Sequence, residues 1–299
     1  MIEIRSLSFA YGQIPVFENI DLSFASGNIY GLLGENGVGK TTLLKLVSGL
    51  LCPHKGVCQV DGMNTFDRRP DMLQRLFFLP DSVVLPHSNT PITFAESLAP
   101  FYPSFDRDML FHVLDVLEVN PEWDFYQMSY GQQKKALIAA ALSMRTDYLL
   151  LDEPTNGLDI PSKSQFRSIL SQRLDDKSTI IISTHQVKDV ESLINPIVIL
   201  TRNSVLLNAS LDEIAQKLYF EHGTSPHPGA LFSEMQIGGC LNVLLNTTGR
   251  ESVVSIEALF NAAHRNPALI KSLFTSSNPD IRSTQSVQPV SSLSPEQEQ

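Results

Sequence analysis

Residues Gly34-Glu35-Asn36-Gly37-Val38-Gly39-Lys40-Thr41 fit the pattern G-x-x-x-x-G-K-[ST], a device for holding phosphates. Its glycines let the backbone curl until several N–H groups converge on phosphate oxygens, and the helix that follows adds its positive end to the same anion. Lys40 has the length to reach the outer phosphates, the Thr41 hydroxyl suits Mg2+, and Thr42 continues the loop into the helix. A second group, Asp152-Glu153, closes the apolar run at residues 148–151. In a parallel sheet, ligands gather at the carboxyl ends of strands. There Asp152 would hold Mg2+ through water, and Glu153 would polarise an attacking water as general base. Taken alone, such a pair equally serves to cap a strand or helix; the phosphate loop in the same chain favours the chemical reading. His185 follows a third apolar run, Ile180-Ile181-Ile182-Ser183-Thr184. A lone histidine there is usually structural, but beyond a core strand it is also placed to sense a terminal phosphate through a ring nitrogen.

These residues need a sheet to hold them, and the patterning supplies one. Ile2, Ile4, Leu7 and Phe9, then Ile20, Leu22 and Phe24, alternate with polar residues at the period of half-buried strands. Residues 29–33 form a buried strand that leads straight into the glycines, and 41–50 read as a helix with Gly49 near its end. Further strands are expected at 57–60, 75–79, 148–151, 179–182 and 197–200. Helices are expected at 94–98, 109–117, 132–144, 162–174, 187–193 and 211–218. Strands on both sides of a mostly helical stretch imply a parallel α/β core interrupted by a helical insertion at about residues 85–145.

Length and composition narrow the classes. With 299 residues, 42% hydrophobic and 18% charged, the chain can bury one large domain and an appendage. A formal net charge of −10 argues against broad nucleic-acid binding. Cys52, Cys58 and Cys240 form no metal-binding spacing and read as free thiols of a reducing compartment. No signal sequence is visible at the start. No apolar run approaches the roughly 18 residues of a spanning helix, so the chain reads as soluble, with any membrane role exercised through a partner.

The set of motifs resembles the ATP-binding cassette (ABC) family over about residues 1–215. The phosphate loop, a glutamine-loop position at Asp81, Met128-Ser129-Tyr130-Gly131-Gln132 as signature, the carboxylate strand, Asn156-Gly157-Leu158-Asp159 as D-loop, and His185 occur in the family's order. The resemblance implies a P-loop NTPase core with an antiparallel β subdomain, a helical insertion and a small α+β extension at the C-terminus. It implies ATP and Mg2+ as cofactors and a homodimer closed head to tail by ATP. Ser129 and Gly131, with Tyr130 and Gln132 beside them, would contact the ATP held by the opposite subunit, through a hydroxyl, an N–H and a helix N-terminus. Asp159 would lie at the dimer seam, and Tyr11 would stack on adenine unless it merely ends a strand. Two residues depart from the family pattern: Tyr130 stands at a usual glycine and Asp81 at a usual glutamine. An aspartate can ligate through its oxygens but cannot donate an amide N–H.

The same resemblance, to stand-alone multidrug or ABC-2-type cassettes, implies the ATPase subunit of an exporter, working on a separate integral membrane permease at the inner face of the cell membrane. The segment around 81–96 would receive the permease. The alternative is a soluble ABC ATPase acting on ribosomes or DNA. The single cassette and the lack of coiled-coil or zinc insertions weigh against it. Residues 216–274 read as an accessory region joined through a linker at 221–229, either regulatory or, by preference, a packing or dimer-stabilising extension. His222 and His227 lack companion ligands. Residues 275–299, rich in Ser, Pro and Gln, are expected to be disordered.

Overall fold

A computed structural model describes residues 1–85 and 88–275. In chain order the strands are β1 (Ile2–Tyr11), β2 (Ile14–Phe24), β3 (Asn28–Leu33), β4 (Lys55–Val60), β5 (Met63–Asn64), β6 (Leu76–Leu79), β7 (Tyr148–Asp152), β8 (Thr179–Thr184), β9 (Ile197–Thr201), β10 (Ser204–Ala209), β11 (Leu218–Gly223), β12 (Phe232–Gln236) and β13 (Gly239–Leu245). The α-helices are α1 (Lys40–Val47), α2 (Pro70–Leu73), α3 (Pro91–Leu98), α4 (Arg107–Val116), α5 (Tyr130–Ser143), α6 (Ile160–Arg173), α7 (Leu211–Lys217), α8 (Ile256–Arg265) and α9 (Pro267–Thr275).

Three sheets organise them. The central one has the order β10-β9-β3-β8-β7-β6, parallel from β9 to β6, with β10 antiparallel at one edge. Antiparallel sheets β2-β1-β4-β5 and β11-β13-β12 flank it. The central strands are apolar on both faces because both faces are covered. Leu33, Leu149, Leu151, Ile180, Ile182, Ile197 and Ile199 point into one core with α4, α5 and the C-terminal elements. Their chain neighbours Leu32, Leu150, Ile181, Val198 and Leu200 point into another with α1 and the first antiparallel sheet. That alternation is the period of two of a strand, written into a single hydrophobic run.

Two expectations change. Residues 187–193 form only a 3-10 turn, Val187–Asp189. The segment is tied from outside: Lys163 Nζ lies 2.7 Å from Asp189 Oδ2, and Arg167 donates to the Asp189 carbonyl at 3.0 Å. Arg167 thus takes the Asp189 carbonyl that an α-helix would offer to Leu193, whose N–H donates instead to the Val190 carbonyl at 2.8 Å. The stretch 221–229 is only partly a loop. Glu221, His222 and Gly223 end β11, paired with Asn242, Leu241 and Cys240 of β13, so α7 runs into the C-terminal sheet directly. Leu218, Phe220, Val243, Ile256 and Leu259 of that region share the core of the central sheet. Thr275 is the last residue described, so the composition-based expectation for the tail lies outside the described residues.

Candidate active site

The register of the central sheet brings the separate motifs together. Leu33, which leads into the phosphate loop, pairs with Thr184, and Asp152 pairs with Ser183. The ends of β3, β8 and β7 are therefore neighbours, and each delivers one part of the site. Between β3 and α1 the loop turns on Gly37 (φ 83°) and Gly39 (φ 111°). At Gly39 a Cβ would also strike Val16 Cγ1 and Phe17 Cζ, at 2.7 and 2.8 Å, so that position admits no side chain on two counts. Gly34 faces Val38 across the loop, where a Cβ would meet Val38 Cγ2 at 2.6 Å.

Lys40 is buried and donates from Nζ to the carbonyls of Gly34 (2.8 Å) and Glu35 (3.2 Å), 3.9 Å from Glu153 Oε1. Burial pushes its ammonium below the usual lysine range, and the carboxylates of Glu153 and Asp152 pull it part of the way back. The Thr41 hydroxyl donates to Asp152 Oδ2 at 2.7 Å, and the Ser183 hydroxyl donates to Asp152 Oδ1. Asp152 thus has one oxygen fixed by the adjacent strand and the other at the mouth of the loop. A hydroxyl and a carboxylate converging in this way are hard oxygen donors that fit Mg2+, which takes few protein ligands and keeps its other positions for water and phosphate.

Glu153 has φ 46°, in the left-handed region, and its N–H donates to the Ser183 carbonyl at 2.9 Å. A bulky side chain held there stores strain of about 1–3 kcal/mol, a feature concentrated at functional sites. The bent backbone aims the carboxylate at His185, with Glu153 Oε1 2.8 Å from His185 Nδ1. A carboxylate only accepts, so Nδ1 carries the proton and Nε2 of the neutral ring is an acceptor, 3.5 Å from the Gln186 amide nitrogen. To donate from Nε2 to a phosphate oxygen while keeping Glu153, the ring must carry both protons.

The other singled-out residues lie around this centre. Tyr11 ends β1, half exposed, with its hydroxyl 3.5 Å from Thr42 Oγ1. Ser129 caps α5: Gln132 N–H donates to Ser129 Oγ at 3.3 Å, and Ser129 N–H donates to Gln132 Oε1 at 3.0 Å. Tyr130 has a structural partner in Gly157, where a Cβ would meet the tyrosine ring at 2.6 Å. The ring replacing the usual glycine therefore lies on the D-loop of its own chain. Asp159 caps α6, accepting from Ser162 N–H at 3.0 Å, and hydrogen bonding from the Ser162 side chain and then from that N–H holds its carboxyl below the usual range. Asp81 is met by Lys134 and Asn156. Motif reading missed Ser183, Gln186 and Lys134, whose partners lie on other segments of the chain.

Comparison with known proteins places the chain in a family. The family model described as ABC transporter matches residues 17–156. An ABC transporter ATP-binding protein of Pyrococcus furiosus is 30% identical over 217 residues, covering 69% of this chain and 82% of its own. The ABC transporter ATP-binding protein YtrB of Bacillus subtilis is 28% identical over 218 residues, covering 73% and 74%. A solved ATP binding subunit of an ABC transporter superposes with a TM-score of 0.64 at 24% identity, covering 72% of this chain and 91% of that one. The chain belongs to the ABC transporter ATP-binding family and is an ATPase.

Proposed function

We propose that this ATPase drives a separate membrane permease, in the direction of export, and that two copies close head to tail on ATP. The observation that carries the reading is the grouping of Lys40, Thr41, Asp152, Glu153 and His185 at the ends of three adjacent strands, while the Ser129–Gly131 turn sits on a helix of the insertion. The phosphate loop and Lys40 bind the phosphates, and Tyr11 stacks on adenine beside Thr42. Glu153 takes a proton from the attacking water, and His185 holds Glu153 and reads the terminal phosphate. Thr41 directly and Asp152 through water would hold Mg2+, which neutralises phosphate charge when bound. Ser129 and Gly131 serve the partner's ATP, because the N-terminus of a helix the length of α5, capped within its own chain by Ser129 and Gln132, still presents a positive end to an anion. Asp159 lies at the seam.

The permease reading is supported by exposed large apolar residues on the insertion, Phe101, Trp123 and Tyr126. Phe125, beside Tyr126 in the chain, joins the 81–96 segment by donating its N–H to the Asn89 carbonyl at 3.0 Å and by ring contact with Phe94; Pro86 and His87 of that segment lie outside the described residues. No helix among the described residues is long and apolar enough to cross a membrane, so membrane attachment runs through the permease. Residues 216–274 act as a packing extension on the 1–215 cassette. The test is purification from detergent-solubilised membranes of the native host. Recovery with an integral membrane protein is expected; recovery with ribosomes or DNA and no membrane protein refutes the transporter reading.

A further inference from the structure

Lys134 is a charged side chain in a place where charge is costly. It is only 2% exposed, among the buried alanines and leucines of α5. A buried ammonium persists only where it is paired and hydrogen-bonded. Its partner comes from a segment 53 residues away in the chain: Nζ donates to the Asp81 carbonyl at 2.8 Å and lies 3.4 Å from Asp81 Oδ1. Asp81 follows β6 of the central sheet, so the lysine stem spans from the helical insertion to the catalytic core. The same Asp81 Oδ1 lies 3.4 Å from the Asn156 amide nitrogen of the D-loop. Asn156 Oδ1 lies 3.5 Å from the Gln186 amide nitrogen, which is 3.5 Å from His185 Nε2, and His185 holds Glu153. An unbroken row of polar contacts, several of them long, therefore leads from α5 to the general base.

An aspartate at position 81 changes what this junction can exchange. An amide donates and accepts; a carboxylate accepts only. Asp81 can receive Asn156, but a donor has to come from elsewhere, and Lys134 brings up to three N–H groups. The two residues divide between them what one amide would do. Lys134 also lies five residues beyond Ser129 on the same helix, about 7.5 Å along its axis. A rigid helix that shifts when its N-terminus meets an anion carries Lys134 with it.

We propose that Lys134 is a positioning residue of the ATPase: through Asp81 and Asn156 it ties the placement of the signature helix to the geometry of Glu153 and His185 in the same chain. The inference rests on the ATPase assignment of Glu153. Full-length Lys134→Met and Asp81→Ala are assayed singly and together for ATP hydrolysis, beside Glu153→Gln as the control. Methionine fills the buried channel without a charge, and Asp81 is 44% exposed, so at least one variant keeps the fold. Each single change is expected to lower kcat by about tenfold or more with the KM for ATP within about twofold. The double variant should be no worse than the poorer single, and Lys134→Arg should recover part of the rate. Parental kcat in folded Lys134→Met, or independent losses that multiply in the double variant, overturn the proposal. If Glu153→Gln also keeps parental turnover, the general-base assignment itself has failed; if only Lys134→Met does, the failure is confined to the coupling.

Discussion

Glu153→Gln separates binding from chemistry more cleanly than any other single change. The amide keeps the shape of the side chain, and its carbonyl can still accept from His185 Nδ1, now 2.8 Å from Glu153 Oε1. It cannot take a proton from water. A positioned general base contributes about 10²- to 10⁴-fold, so kcat should fall by that factor, a barrier increase of about 3–5 kcal/mol. Binding should move the other way or not at all. Lys40 Nζ lies 3.9 Å from Glu153 Oε1, with both side chains close to nine-tenths buried or more. Opposite charges at that separation attract by about 4 kcal/mol at an effective dielectric of 20. That attraction competes with phosphate for the lysine, and glutamine removes it. ATP affinity should therefore hold or rise, and the ATP-bound dimer should accumulate because its ATP is not consumed. Single-turnover hydrolysis of labelled ATP, equilibrium ATP binding and size-exclusion chromatography with ATP read the three quantities. Turnover within about threefold of the parent, or a loss of ATP binding that accounts for the loss of rate, would refute the assignment.

If Ser129 contacts the partner's ATP as proposed, Ser129→Arg should suppress hydrolysis while leaving ATP binding to an isolated monomer intact. In a mixed dimer with one Glu153→Gln copy, activity should depend on which chain carries which change; damage confined to the mutant's own nucleotide contradicts the role. Leu259→Ala, in α8 and fully buried, should cost about 2–5 kcal/mol and lower a single calorimetric transition, since the C-terminal region shares the main core; two separated transitions would indicate an independent unit. Cys52 is exposed while Cys58 and Cys240 are buried, so a thiol reagent should label the native chain once. Burial pushes the Cys58 thiol up to about 12, above its unfolded value. The folded state therefore retains a proton that the unfolded state loses, and stability should drop between about pH 9 and 12 at up to about 1.4 kcal/mol per pH unit. A urea midpoint that is flat over that window in the parent, or equally sloped in Cys58→Ala, contradicts it.

The residues of the phosphate loop and the carboxylate strand were legible in the chain because their function is local. Glycines with positive φ at 37 and 39, with an apolar strand before and a helix after, confine the loop's backbone. The strands were legible for a similar reason, since a run buried on both faces is apolar throughout. Residues 187–193 failed this logic because Lys163 and Arg167, distant in sequence, decide their shape. The linker at 221–229 failed because pairing with β13 overrides a composition of polar and turn-forming residues.

The sequence by itself determined that this chain binds and hydrolyses ATP, since the chemistry resides in short motifs whose geometry their own residues enforce. Only the tertiary structure decided how those motifs act on one another. Tyr130 on Gly157, Ser183 on Asp152, and Lys134 reaching Asp81 across 53 residues of chain are contacts between segments that meet only after the sheet has assembled. No local pattern encodes them, because a side chain's partner is set by packing over the whole core rather than by its neighbours along the chain.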